Sequence, residues 1–211
     1  MFLFFLEGSD LVGKIISSYI FPHPPAIIPE VGKGMESGAS RTVAAVNKAA
    51  EAIKHDKPTT IIVTTPHGPV FQDFIYISVA EELTGDFERF GAKNIRLEFK
   101  NNIELANRII EQAGKKSILA GGLDDEIIRR YKISKKLDHG VTVPLYFVNK
   151  VYQNFKLVHI AIAGLPFIEL YKFGMCIGQA VAESDEQVVF LASGDLSHRL
   201  SHDGPYGFSE K

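Results

Sequence analysis

Four histidines of this chain stand in turn-forming surroundings: Pro22-His23-Pro24-Pro25, Pro66-His67-Gly68-Pro69, Asp138-His139-Gly140 and Gly194-Asp195-Leu196-Ser197-His198. Neutral imidazole is a ligand for divalent metals, and it gives or takes a proton near neutrality. Prolines around His23 fix φ and withdraw backbone donors, so the ring's direction is largely preset. A metal ligand needs that stiffness, although a plain surface turn would read the same way. His67 repeats the local pattern, and Gly68 lets backbone come close to a bound group. The two are too far apart in sequence for a zinc-finger pair, but two neighbouring strand ends can bring them into one coordination sphere.

Asp195 and His198 are three residues apart, a spacing that places both on one face of a helical turn. The carboxylate can then orient the imidazole and fix its tautomer, as a general base requires. A capping role for Asp195 at a short helix is the other reading, and the two are compatible. His139 can move a proton, or be no more than a solvent-exposed loop residue. His55, His159 and His202 are assigned no chemistry: a last-turn helix residue, a strand residue in the core or on a sheet face, and a terminal-loop residue. Ser193 and Ser197 lie in no nucleophile elbow, Gly121-Gly122 lacks the dinucleotide pattern, and no P-loop spacing occurs.

The elements that must position these residues alternate between strand-like and helical periodicity, which indicates an α/β domain. Strands are expected over Ile15 to Phe21, Thr59 to Thr65, Ile95 to Phe99, Val141 to Val148, Lys156 to Ile162 and Gln187 to Ala192. Helices are expected over Ala39 to His55, capped by Ser37 or Ser40, over Asn102 to Ala113, capped by Asn101 or Asn102, and over Phe167 to Glu183. Gly174 and Gly178 in the last suggest close packing on a sheet. The expected architecture is a mainly parallel central sheet with helices on both faces, in which ligands gather beyond the carboxyl ends of the strands. His23, His67 and His198 each follow such a strand; His139 precedes one and must reach the crevice from a loop.

Composition bounds the function. A chain of 211 residues with 45% hydrophobic content supports one domain. With 23 basic and 25 acidic residues, a formal charge of -2 and no run of like charge, a nucleic-acid partner is not expected. Cys176, the single cysteine, sits in an apolar stretch and reads as buried; with no intrachain disulfide, a reducing cytoplasm is the expected setting. The apolar start Met1 to Leu6 ends at Glu7, lacks a basic flank and is far shorter than the ~20 residues of a membrane span. Residues 1–14 are expected to be an extension and 15–211 the domain, with no membrane association and a small-molecule partner. A homo-oligomer stays open.

As an ordered set, the four histidine segments, with Leu137-Asp138-His139-Gly140-Val141 in full, resemble the LigB-like superfamily of class III extradiol dioxygenases, from about Ser17 to the C-terminus. Within it the chain looks most similar to the AmmeMemoRadiSam system protein B family, with Memo-like proteins further off. The resemblance implies an oxidoreductase with a non-haem Fe(II) site, His23 and His67 as ligands and a glutamate completing the face. It implies a catechol-type substrate and dioxygen, with His198 assisting diol deprotonation and His139 positioning oxygen or supplying a proton. The family's third ligand comes well after the Gly-Asp-Leu-Ser-His segment, whereas this sequence ends at Lys211. A C-terminally incomplete domain is therefore expected, with Glu210 as a substitute ligand or weak metal binding as the alternatives. A Memo-like binding protein without turnover and a zinc hydrolase are the rival functions.

Overall fold

The computed structural model describes residues 12–195, 197–199, 201–204 and 206–210; residues 1–11 of the expected extension lie outside the described residues. In chain order the elements are β1 (Lys14–Phe21), α1 (Pro29–Gly32), α2 (Ser40–Asp56), β2 (Thr60–Thr65), β3 (Ile75–Ile77), β4 (Glu82–Phe87), β5 (Ala92–Lys100), α3 (Ile103–Lys115) and β6 (Ala120–Gly121). They continue with α4 (Asp125–Arg130), α5 (His139–Val151), β7 (Lys156–Ala161), α6 (Phe167–Ala182) and β8 (Gln187–Ser193).

Six strands form one sheet in the order β1-β8-β2-β7-β3-β6. Every pairing is parallel except that of β3 with β7. Side chains on a strand alternate between faces, so β2 feeds two cores at once. Ile61 and Val63 enter a cluster with Val46 and Ile53 of α2 and Val141 and Leu145 of α5. Ile62 enters the opposite one, with Leu105 and Ile109 of α3 and Phe173 and Ile177 of α6. The expected α/β sheet with helices on both faces is what the chain forms.

At the amino ends of β2 and β8 the polar groups are consumed structurally. Glu186 accepts hydrogen bonds from the Thr59 and Thr60 hydroxyls and from Asn102 Nδ2. Asn102 Oδ1 also caps α3 by accepting from Leu105 N at 3.2 Å, as expected. Any chemistry is left to the opposite end of the sheet.

Four sequence expectations are corrected. Val141 to Val148 is not a strand but most of α5. All nine residues from Gly140 to Val148 are buried, and a helix covered on every side has no polar face to reveal its period. The Ile95 to Phe99 segment is a strand within β5, but it pairs antiparallel with β4 in a separate hairpin. There Leu97 and Phe99 are buried while Arg96 and Glu98 are not, the one-sided pattern of a strand that shields a core. Ala39, not a serine, precedes α2, and no side chain caps it. A Cβ at Gly174 or Gly178 would meet nothing within 4 Å, so neither glycine is needed for contact with the sheet.

Candidate metal centre

Phe21 pairs with Ser193 across β1 and β8, and Thr65 with Ala161 across β2 and β7, so parallel pairing ends these strands at one level. His23, His67 and Asp195 lie just beyond β1, β2 and β8 and therefore share one end of the sheet. His67 Nε2 is 3.0 Å from His23 Nε2, with the rings near perpendicular at 80°. At that distance either one ring donates an N–H to the other, or both lone pairs face a shared positive ion. Two nitrogens bound side by side to one ion at ~2.1 Å are separated by about 3 Å, so the pair fits a shared metal.

The His23 tautomer is set from behind. Pro144 sits inside α5 and has no N–H, so the Gly140 carbonyl lacks its usual partner one turn on. The Ser193 hydroxyl donates to that carbonyl instead. Its proton being committed there, Ser193 Oγ accepts from His23 Nδ1 at 2.8 Å. Nδ1 is thus the protonated nitrogen, and Nε2 presents a lone pair toward His67. His23 is 3% exposed, which leaves this geometry little freedom. Burial pushes its imidazole below the ordinary value; His67 and His198 act in the same direction, and Asp195 and Asp138 oppose.

His139 is the first residue of α5, not a loop residue ahead of a strand. Its ring centroid is 4.1 Å from that of His67 and 5.4 Å from that of His23. Ligand nitrogens of His23, His67 and His139 all fall within 4.8 Å of one another. Burial, then the neighbouring His67 and His23, lower the His139 imidazole as well, which favours its neutral form. Three imidazoles with ligand nitrogens this close together form a donor set suited to a divalent cation.

Asp138 puts His139 there. Its Oδ1 accepts from Gly140 N at 2.7 Å, capping α5, and from Thr65 Oγ1 at 2.8 Å, tying that cap to the end of β2. Its Oδ2 faces the buried His159 Nε2 at 3.6 Å, beyond hydrogen-bond reach. Burial works against ionisation of Asp138, yet His159, Thr65 and the Gly140 N–H together hold its carboxyl below the usual range. A Cβ at Gly140 would collide with Thr65 Oγ1 and stand 3.3 Å from His67 Cδ2, so only glycine lets the helix start this close to His67.

Asp195 and His198 are at the rim. Asp195 Oδ1 accepts from His23 N at 3.2 Å, and Oδ2 lies 3.5 Å from both His23 Nε2 and His198 Nε2. The His198 side chain is 55% exposed, open to a proton acceptor's traffic. Asp195 follows β8 outside any regular element and caps no helix among the described residues. Glu210 is described and belongs to no metal-ligand group among the described residues. Sequence reasoning passed over Ser193 and Asp138 as working residues and left His159 as core. Asp138 carried a signal, since an aspartate just ahead of a long apolar run is a helix cap; Ser193 carried none, because its role depends on Pro144 of a distant element.

The model of the catalytic LigB subunit of aromatic ring-opening dioxygenase matches residues 17–210. The chain belongs to the LigB family. This LigB domain is 47% identical over 191 residues to Protein CA_C1420 of Clostridium acetobutylicum, an alignment covering 90% of the chain and 41% of that protein. It is 24% identical over 208 residues to the 2-aminophenol 1,6-dioxygenase beta subunit of a Pseudomonas species, covering 92% of the chain and 66% of the subunit. To the 3,4-dihydroxyphenylacetate 2,3-dioxygenase of Escherichia coli it is 27% identical over 204 residues, covering 91% and 69%. The LigB domain thus spans less than half of the first relative and about two thirds of the other two. No helix among the described residues is long and apolar enough to cross a membrane.

Proposed function

We infer that this LigB domain is an extradiol-type dioxygenase that opens an aromatic diol ring, with Fe(II) held by His23 and His67. The observation that carries the reading is the pair of Nε2 atoms facing each other at 3.0 Å, with the tautomer of one fixed by Ser193. Both relatives with a named activity are dioxygenases of substituted aromatic rings. Fe(II), when bound, supplies the redox chemistry that lets dioxygen react with a chelated diol. Both oxygen atoms enter the product, so no further reductant is required.

The protein's share is proton handling and orientation. His198 Nε2 takes the proton of a diol hydroxyl, and Asp195 at 3.5 Å stabilises the resulting imidazolium. Because Asp195 also holds the His23 backbone, the acceptor is kept in register with the ligand. His139, half-buried beside His67 with its neutral form favoured, turns its N–H donor toward dioxygen, or first takes up a proton and then returns it as the ring opens. The N-terminal turn of α5, pinned by Asp138, keeps that ring in place.

Protein loaded with Fe(II) without air, then given methylcatechol and oxygen, tests the assignment. Stoichiometric oxygen uptake with appearance of a coloured ring-opened product is expected; iron-loaded protein that consumes no oxygen on any catechol refutes it. One observation favours a second reading. Three imidazoles within 4.8 Å also suit Zn²⁺ with a bound water, the donor set of a zinc hydrolase. Ester hydrolysis by the zinc-loaded form, together with inert iron-loaded protein, would select it.

A further inference from the structure

α6 (Phe167–Ala182) packs against the sheet and α3 through one side, where Phe173, Cys176, Ile177, Ala180 and Val181 are buried. The opposite side of such a helix meets water and is normally charged or polar. Here it is apolar. Phe167 is 91% exposed, Tyr171 68%, Ile168 60% and Met175 59%, and helical spacing brings Gly174, Gly178 and Ala182 into the same stripe. The charges at its margins are already engaged: Lys172 Nζ pairs with Glu169 at 2.8 Å, and Glu183 accepts from Gln112 and Gln179.

The four large side chains together leave about 600 Å² to water, counting a whole aromatic side chain at up to about 250 Å². That is at the upper end for the largest apolar patch of a monomer, and it approaches the ~800 Å² that each partner contributes to a standard interface.

The two glycines have no reason inside the chain. Glycine weakens a helix interior relative to alanine, and a Cβ at either position would meet nothing within 4 Å. A second backbone passing close over the stripe supplies the reason, because it takes the space a side chain would fill.

The order of large and small residues says which backbone. Turned antiparallel onto a copy of itself, about a two-fold axis between Gly174 and Met175, the stripe sets Phe167 against Ala182, Tyr171 against Gly178 and Met175 against Gly174. In each pair a large side chain faces a small one, and each pair occurs twice, which is the self-complementarity of an isologous contact. An unrelated partner has no need of that internal match.

We propose that two copies of this LigB domain associate through the outer face of α6, with the two helices antiparallel and Tyr171 of each copy seated over Gly178 of the other. The proposal does not depend on the chemistry at the histidines.

Sedimentation equilibrium of the unmodified chain, from about 1 to about 100 µM, covers the affinities typical of modest interfaces. The mass is expected to rise to twice that of one chain. Met175→Glu puts an unpaired carboxylate at the centre of the contact and should weaken association at least about tenfold. Its circular dichroism should be unchanged, since position 175 is exposed in the single copy. Gly178→Leu should weaken association as well, although leucine is the better helix former, because its side chain occupies the seat of Tyr171. The register is read by combining Tyr171→Cys with Gly178→Cys, which mild oxidation should link into a covalent dimer. Within one helix these positions are about 10 Å apart, beyond the ~7 Å reach of a disulfide, so a link between them joins two copies. Native Cys176 is buried and takes no part. A chain that stays monomeric at the highest concentration, a dimer that survives either Met175→Glu or Gly178→Leu, or a dimer whose double-cysteine form does not link overturns the proposal.

Discussion

Ser193 Oγ lies 2.8 Å from His23 Nδ1 while its own proton goes to the Gly140 carbonyl, so a β8 hydroxyl decides which nitrogen of a β1-loop imidazole faces the site. The carbonyl is free for that bond because Pro144 cannot take it. That serine thereby fixes the His23 tautomer, and its removal is the most informative change outside the imidazoles.

Ser193→Ala lets His23 exchange tautomers and strands a buried carbonyl. Metal affinity measured by competition with a chelator should fall by about tenfold to a hundredfold, the usual effect of losing an outer-shell partner. Unchanged affinity would contradict the tautomer argument.

The imidazoles should separate by role. His67→Ala abolishes metal binding, whereas His198→Ala retains the metal and loses about 10²- to 10⁴-fold in turnover, the range for a general acid or base. Elemental analysis and oxygen uptake on the same samples decide it; equal metal loss in both variants would undo the division.

Asp138 caps α5 and binds Thr65, so Asp138→Ala should lower stability by at least about 1–2 kcal/mol, read from urea midpoints. Asp138→Asn keeps an acceptor for Gly140 N and should cost less. No loss in the alanine variant would mean the helix start is held otherwise.

Acid should destabilise the metal-free protein in two windows. His23 and His139 are held below the ordinary imidazole value of 6.5, chiefly by burial. Just below that value the unfolded chain binds more protons than the folded one, so stability rises with pH there and is flat above it with respect to these groups. Asp138 is held below its ordinary 3.8, so its contribution is present above that value and is lost as pH falls further. Urea midpoints from pH 7.5 to 5.5 should therefore fall; midpoints constant over that range would contradict the imidazole shifts.

The legible part of this molecule was its parallel framework. β2, β7 and β8 read as apolar runs because both their faces are largely buried, while β1, an edge strand buried only at Phe21, is marked by its Ile and aromatic content; β1, β2 and β8 end in turns whose prolines and glycines mark the site. α5 was illegible for the same physical reason: complete burial from Gly140 to Val148 erases the polar face that separates a helix from a strand. His139 could thus be singled out by type while its support was misread. The β4–β5 hairpin was only half seen, so Arg89 and Phe90, which line a cleft beside His67 and His139, were not considered at all. Residues that act through a partner in another element, such as Ser193 and His159, leave no local trace in sequence.

The central claim is that His23 and His67 share one cation. Metal titration of the anaerobic protein, with elemental analysis after gel filtration, tests it most directly. The account predicts one divalent ion per chain, lost in both His23→Ala and His67→Ala. An ion retained equally by either variant, or an unmodified chain that binds none, would contradict it.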